Sequence, residues 1–269
     1  MTNDRIYPEG VPCWVDLAQP DTTAARAFYG GLFGWEFTEA MPPGAPGSYL
    51  IATLDGKDAA ALTPGDGTDG WMSYIACGDA DAAAASVEEA GGSILSAPED
   101  AGPGGRSATC ADPQGAVFRL WQARRRLGAQ IVNVPGAWNF SDLHTPEPTA
   151  ALRFYGEVFG WAVDETLGAG MIRVPGYGDH LAATVDPGIH ERQEFAPEGF
   201  ADVVAGLTRA DDARWWIRFT VDDRDDAAAR AESLGGVIRS SAQTDWTREA
   251  VIEDPQGARF IVSQLVVPD

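Results

Sequence analysis

The chain has 269 residues, 45% of them hydrophobic and 22% charged, which suits two soluble domains of ordinary size. Forty acidic residues against 19 basic ones give a formal charge of −21, which would repel a polyphosphate over most of the surface and so excludes nucleic acid as the expected partner. No apolar run approaches the roughly 20 residues of a membrane span, the N-terminus has no signal-peptide core, and three cysteines without CxxC spacing suggest neither a disulfide framework nor a zinc knuckle. A reducing cytoplasm is the expected location.

In chain order, Val15 and Leu17 alternate as in a strand, and Asp21 or Thr22 can cap the helix that follows. In that helix Phe28 and Leu32, like Tyr29 and Phe33, stand four apart and can cover one another. Strand-like segments follow near 47–54 and 57–63. A second unit opens with a strand at 72–77 and a helix from about 80 to 90, closed by Gly91-Gly92 in a left-handed cap. Strands then flank Asp112-Pro113-Gln114-Gly115, whose residues suit a type I turn.

The same order recurs. Residues 10–37 and 136–163 share 13 of 28 positions at an offset of 126, and residues 71–94 and 215–238 share 10 of 24 at an offset of 144. DPQGAVFRLWQ (112–122) matches DPQGARFIVSQ (254–264). The chain is therefore a duplication of a duplicated strand, helix, three-strand unit, an α+β arrangement. Domains are expected at 1–125 and 126–269, separated by the linker ARRRLGAQ; the pairing of the four modules is left open.

These residues carry a resemblance. Phe28-Tyr29 through Gly34-Trp35, Phe154-Tyr155 through Gly160-Trp161, and the two DPQG turns, in this order over nearly the whole chain, resemble the vicinal oxygen chelate superfamily, which includes glyoxalases, bleomycin-resistance proteins and extradiol dioxygenases. The resemblance implies four βαβββ modules forming two glyoxalase-like domains, with curved mixed sheets around concave pockets. It also implies metal positions on the first strands and after the DPxG turns, here Trp14, Met72, Arg119, Phe140, Trp216 and Ile261. None of these side chains suits a divalent ion, which takes imidazole, carboxylate or thiolate. The expectation is a protein without a metal, and glyoxalase I or dioxygenase chemistry is disfavoured. No GxGxxG or P-loop suggests a nucleotide, so no cofactor is expected.

Strand alternation assigns the pocket faces. The N-terminal concavity would hold Trp14, Asp16, Met72, Tyr74, Arg119 and Trp121. The C-terminal one would hold Phe140, Asp142, His144, Trp216, Arg218, Thr220, Ile261 and Ser263. Such aromatic-rich faces suit a flat conjugated molecule. Ordinary core packing, an Asp142–Arg218 ion pair and a solvated His144 are the structural alternatives. On the functional reading His144 transfers a proton, Asp142 orients it, and Arg218 or Tyr74 stabilises charge developing on oxygen. The segment 186–214 has no counterpart in the first half, reads as a lid or binding element packed through Phe195, Phe200 and Leu207, and favours the C-terminal half as the working site. Cys77 reads as a core residue, and Cys13 and Cys110 have no visible activating partner.

Two functions stay in contention. One is a metal-free enzyme of natural-product metabolism that performs dehydration, cyclisation or isomerisation on a polycyclic, polyketide-like substrate. The other is a protein that sequesters such a compound. A monomer or homodimer fits either.

Overall fold

A computed structural model of the chain describes residues 5–67, 70–163, 167, 170–194 and 196–266. Four βαβββ modules follow one another. The first comprises β1 (Pro12–Gln19), α1 (Thr22–Phe33), β2 (Glu36–Glu39), β3 (Leu50–Leu54) and β4 (Lys57–Pro64). The second comprises β5 (Trp71–Ala76), α2 (Ala80–Glu89), β6 (Ser93–Asp100), β7 (Gly105–Ala111) and β8 (Val117–Ala123). The third runs β9 (Trp138–Thr145), α3 (Pro148–Phe159), β10 (Ala162–Val163), β11 (Met171–Arg173), α4 (Tyr177–Thr184), α5 (Ile189–Arg192) and β12 (Val203–Arg209). The fourth is β13 (Arg214–Thr220), α6 (Arg224–Ser233), β14 (Val237–Gln243), β15 (Thr247–Glu253) and β16 (Arg259–Leu265).

The strands form two eight-stranded mixed sheets, ordered β2-β3-β4-β1-β5-β8-β7-β6 and β10-β11-β12-β9-β13-β16-β15-β14. Within every module the first strand lies parallel to the last, with Asp16 opposite Ala61, Tyr74 opposite Arg119, Asp142 opposite Gly206 and Arg218 opposite Ile261. The three later strands of each module run antiparallel. A helix is needed to carry the chain from the first strand over to its parallel partner's hairpin, which is why each module has one. The expected alternation holds in β8, where Phe118 and Leu120 are fully buried and Arg119 and Trp121 only partly so.

Helix ends follow their sequence signals. Asp21 accepts from the N–H groups of Thr23 and Ala24, Asp79 and Asp223 cap α2 and α6 in the same way, and Gly34 and Gly160 end α1 and α3 in the left-handed region. After α2 the cap residue is Ala90, with left-handed Gly91 one position later. The N–H groups of Gly91 and Gly92 return to the carbonyls of Glu88 and Val87. Gly92 and Gly236 have a second reason to lack a side chain. A Cβ there would stand 2.9 Å from the Phe154 ring and 3.0 Å from the Phe28 ring, respectively.

By contact density the chain falls into two compact units. One contains the chain up to Cys13, with Ser73–Gly128 and Ser141–Trp215; the other contains Trp14–Met72, Ala129–Phe140 and Trp216 onward. The cores thus join module one with four and module two with three. In the second unit the Tyr29 hydroxyl donates to Asp254 Oδ2 (2.9 Å) and accepts from the Trp71 indole (3.1 Å). The first unit repeats this with Tyr155, Asp112 Oδ2 (3.2 Å) and Trp215 (3.2 Å). Tyr29 stacks on Trp35 at 5.9 Å, and Tyr155 on Trp161 at 4.8 Å.

The two DPQG turns are the source of those carboxylates. Asp112 Oδ1 accepts the N–H groups of Gln114 and Ala116, each at 2.9 Å, and Asp254 Oδ1 those of Gln256 and Ala258, also at 2.9 Å. The glutamine amide then clamps the start of a helix. Gln256 accepts from Asp21 N–H (2.8 Å) and donates to Asp21 C=O (2.9 Å); Gln114 does the same at Glu147, at 3.0 and 3.3 Å.

The segment 186–214 differs from its sequence reading. Val203–Arg209 within it is β12, parallel to β9 as β4 is to β1, so that stretch has a counterpart in the first half. What the first half lacks is the α4–α5 excursion between β11 and β12, where β3 and β4 are joined by the tight turn Asp55-Gly56. Phe200 and Leu207 are partly buried; Phe195 lies outside the described residues.

Burial pushes the Asp112 and Asp254 carboxyls up, against the pull of their N–H and tyrosine donors. A raised carboxyl pKa favours the fold fully below the unfolded carboxyl range, and that contribution is lost as pH rises through the raised value. Asp254→Asn removes this titration. Urea unfolding of the two proteins from pH 3 to 8 should therefore show wild type gaining on Asp254→Asn as pH falls. A stability difference that does not vary with pH would contradict it. Tyr29→Phe should cost about 1–3 kcal/mol, because it strips a donor from a buried carboxylate and an acceptor from Trp71.

Candidate functional site

In the second unit, β1 presents Trp14 and Asp16 on one face. The Trp14 indole donates to the Tyr49 hydroxyl (2.9 Å), which donates to Asp16 Oδ2 (3.1 Å). Asp16 is only 2% exposed, so a hydroxyl donor is what makes its burial tolerable. Tyr49 was not foreseen in the sequence. It stands just ahead of β3 and is fixed there by Glu39, which accepts from Tyr49 N–H (2.9 Å), Met41 N–H (2.8 Å) and the Ser48 hydroxyl (2.5 Å). These bonds, the Ser48 hydroxyl foremost, draw the Glu39 carboxyl down to about 2.

On β13 and β15 of the same unit, Arg218 forms an ion pair with Glu249, whose side chain also accepts from the Thr247 hydroxyl (2.7 Å). Both charged side chains are largely buried, at 16% and 20% exposure, so this pair is shielded from solvent screening. Glu249 lies opposite Ser263, and Arg218 opposite Ile261, which brings three of the candidate positions together with Glu249 on neighbouring strands. Glu249 is the second residue the sequence reading missed. It sits on a strand whose partners are set by hairpin register, which short-range spacing does not reveal. Phe140, Trp216 and Thr220 are half-buried, and Met72 is buried.

In the first unit the Arg119 guanidinium donates to the Tyr74 hydroxyl (2.5 Å) and to Thr109 (3.3 Å), and its carbon lies 5.4 Å from the Tyr74 ring centre. Trp121 meets the Tyr74 ring edge-on at 6.1 Å and donates its indole N–H to Arg126 C=O (2.9 Å). Asp142, 6% exposed, and His144, half-buried, share one face of β9. The Asp142 carboxylate lies across Gly206 on β12, where an added Cβ would stand 2.3 Å from Oδ1. Glycine at 206 is therefore what gives Asp142 its place.

The donor set does not fit the metal that the superfamily's name implies. Trp14 and Arg119 commit their nitrogens as hydrogen-bond donors, Met72, Phe140, Trp216 and Ile261 offer no hard ligand, and no group of three or more His, Cys, Asp or Glu among the described residues could hold an ion. Burial pushes the Cys77 and Cys110 thiols up to about 12, so neither is a thiolate nucleophile at neutral pH. No described helix is long and apolar enough to cross a membrane.

Comparison with known proteins bears on the same halves. The family model for the glyoxalase/bleomycin resistance protein/dioxygenase superfamily matches residues 13–120, and that for a glyoxalase-like domain matches residues 140–263. A protein of Mycobacterium tuberculosis that carries the name glyoxylase, CFP32, is 37% identical over 97% of both chains. The chain belongs to the glyoxalase/bleomycin resistance protein/dioxygenase superfamily. The anthracycline biosynthesis protein DnrV of Streptomyces peucetius is 35% identical over 96% of this chain and 94% of its own. The Mn(II)-bound glyoxalase of Novosphingobium aromaticivorans superposes with a TM-score of 0.61 over 97% of this chain and 84% of that one. At 18% identity it shares the fold alone.

Gly206→Ala tests how Asp142 is held. Overpacking the carboxylate should cost about 1–3 kcal/mol of unfolding free energy. Unchanged stability in urea unfolding would mean that the Asp142 carboxylate does not rest on Gly206.

Proposed function

We propose that the protein acts on a planar, polycyclic, polyketide-derived small molecule by proton-transfer chemistry that its own side chains supply. The observation that carries this reading is the full-length likeness to DnrV and to DauV of a Streptomyces strain, both named as anthracycline biosynthesis proteins, the latter 34% identical over 96% of this chain. The half-buried rings of Phe140 and Trp216 support it, since ring faces suit a flat conjugated ligand.

His144 is the proton-transfer group on this reading. An imidazole can take and give a proton near neutral pH, and on this reading Asp142, on the same face of β9, orients it. Dehydration, cyclisation and isomerisation of a polyketide all need a proton taken from carbon or delivered to a leaving oxygen. One such group meets either need without a bound ion. A second reading, sequestration without turnover, gains from the Arg218–Glu249 pair, because a guanidinium already neutralised by a carboxylate has less charge to offer a developing oxyanion.

The test uses an anthracycline-type polycyclic ketone, with turnover and affinity measured before and after exhaustive chelation. Chelation should change neither. His144→Ala should lower turnover about 10²–10⁴-fold and leave the Kd within about threefold. Wild-type turnover in His144→Ala contradicts the assignment, and saturable binding with no turnover in the wild type favours sequestration.

A further inference from the structure

The two copies of the duplication share a backbone device and differ in what they hang on it. In the first copy Gly10, at φ 80°, donates its N–H to Ala76 C=O (2.8 Å), and Ala76 N–H returns to Val11 C=O (2.9 Å). In the second copy Gly136, at φ 83°, donates to Thr220 C=O (2.9 Å), and Thr220 N–H returns to Ala137 C=O (2.9 Å). Each is a bulge with a left-handed glycine, and the Trp161 or Trp35 indole holds the glycine carbonyl at 2.6 or 2.8 Å. By the repeat offsets Thr220 corresponds to Ala76, and Trp138, the residue after Ala137, corresponds to Pro12.

The first copy therefore has no side-chain polar atom at these two positions. The second has an indole N–H and a hydroxyl, and both are buried with no hydrogen-bond partner. Trp138 is 4% exposed. Its state contrasts with that of Trp14, Trp35, Trp71, Trp121, Trp161 and Trp215, each of which spends its indole N–H on an acceptor. Burying an unbonded donor costs stability, so such atoms are rare in folded chains unless something else supplies the partner.

We infer that Trp138 Nε1 and Thr220 Oγ1 are the polar end of a ligand site in the second copy, where they recognise a neutral carbonyl or quinone oxygen carried on a planar ring. An indole N–H can only donate, so the ligand atom must be an acceptor, and an ammonium group is excluded. Neither residue is charged, and a chain with net charge −21 does not favour an anion, so the acceptor is a neutral oxygen. The inference rests on the polycyclic-ligand reading above and deepens it. It also assigns Trp138, which neither strand alternation nor the metal positions had singled out.

The probes are 2-aminoanthraquinone and 2-aminoanthracene, which differ by the two ring carbonyls, with affinity measured by equilibrium dialysis on the full chain. Wild type should bind the quinone more tightly. Trp138→Phe keeps the benzenoid ring but loses the N–H, and Thr220→Val keeps the shape but loses the hydroxyl. Each should weaken quinone binding about 3- to 15-fold, the range of one hydrogen bond, and leave anthracene binding within about twofold. Neither should lower the Tm. Thr220→Val, the isosteric change, carries the test alone if Trp138→Phe fails to fold. Quinone binding at wild-type strength in both variants overturns the inference and spares the functional reading. A fall in Tm in both variants also overturns it, since the donors would then be bonded within the protein. Failure of the wild type to bind either polycycle overturns the functional reading and this inference together.

Discussion

One hydrogen bond per unit, from a helix tyrosine to the buried aspartate of a DPQG turn, is the constraint on which the rest of this structure is arranged. The carboxylate uses one oxygen to hold its own turn and the other to hold the tyrosine, so the turn cannot open without freeing the helix. Because the carboxylate is buried, every one of those donors is needed, and losing any leaves an expensive group behind. The glutamine two residues on clamps the first peptide of the same helix. The tryptophan of each Gly-Trp pair then stacks on the tyrosine and spends its N–H on the bulge glycine. Each unit carries one copy of this chain of contacts, which fixes the strands on which the candidate side chains stand.

Much of this was legible in the sequence. The repeat offsets gave four modules, the FY and DPQG signatures gave the superfamily, and alternation in β8 and β13 separated the core-facing residues from their neighbours. Asp21 and Gly91 behaved as capping chemistry requires. The DPQG turns were legible only as turns. Their partners, Tyr155 and Tyr29, lie 43 and 225 residues away, and no local pattern announces such a pairing. Tyr49 and Glu249 escaped for a related reason. Each is defined by the register of a neighbouring strand and by one long-range contact, with no motif of its own. The strand β12 was absorbed into an apparent insertion because the α4–α5 excursion separates it from β11 and hides the module's period.

The comparison between copies separates scaffold from function. Helix-facing residues are alike: Tyr29 and Tyr155, Trp71 and Trp215, Trp35 and Trp161, Asp254 and Asp112 occupy equivalent places with equivalent bonds. The other positions diverge. Trp14 becomes Phe140, Met72 becomes Trp216, Tyr74 becomes Arg218, and Pro12 and Ala76 become Trp138 and Thr220. In the first copy these side chains satisfy one another, as Trp14, Tyr49 and Asp16 do. At the positions of Pro12 and Ala76 the second copy instead carries Trp138 Nε1 and Thr220 Oγ1, both buried without a hydrogen-bond partner, a cost that on the inference above a ligand offsets.

The most direct measurement is a crystal structure of the protein with a polycyclic aromatic ketone bound. The account predicts a ring stacked on Trp216 or Phe140 at about 3.5–4 Å, with a ligand oxygen within roughly 3.5 Å of Trp138 Nε1 or Thr220 Oγ1. A ligand seated only against Tyr74, Arg119 and Trp121, with Trp138 and Thr220 unchanged, would contradict it.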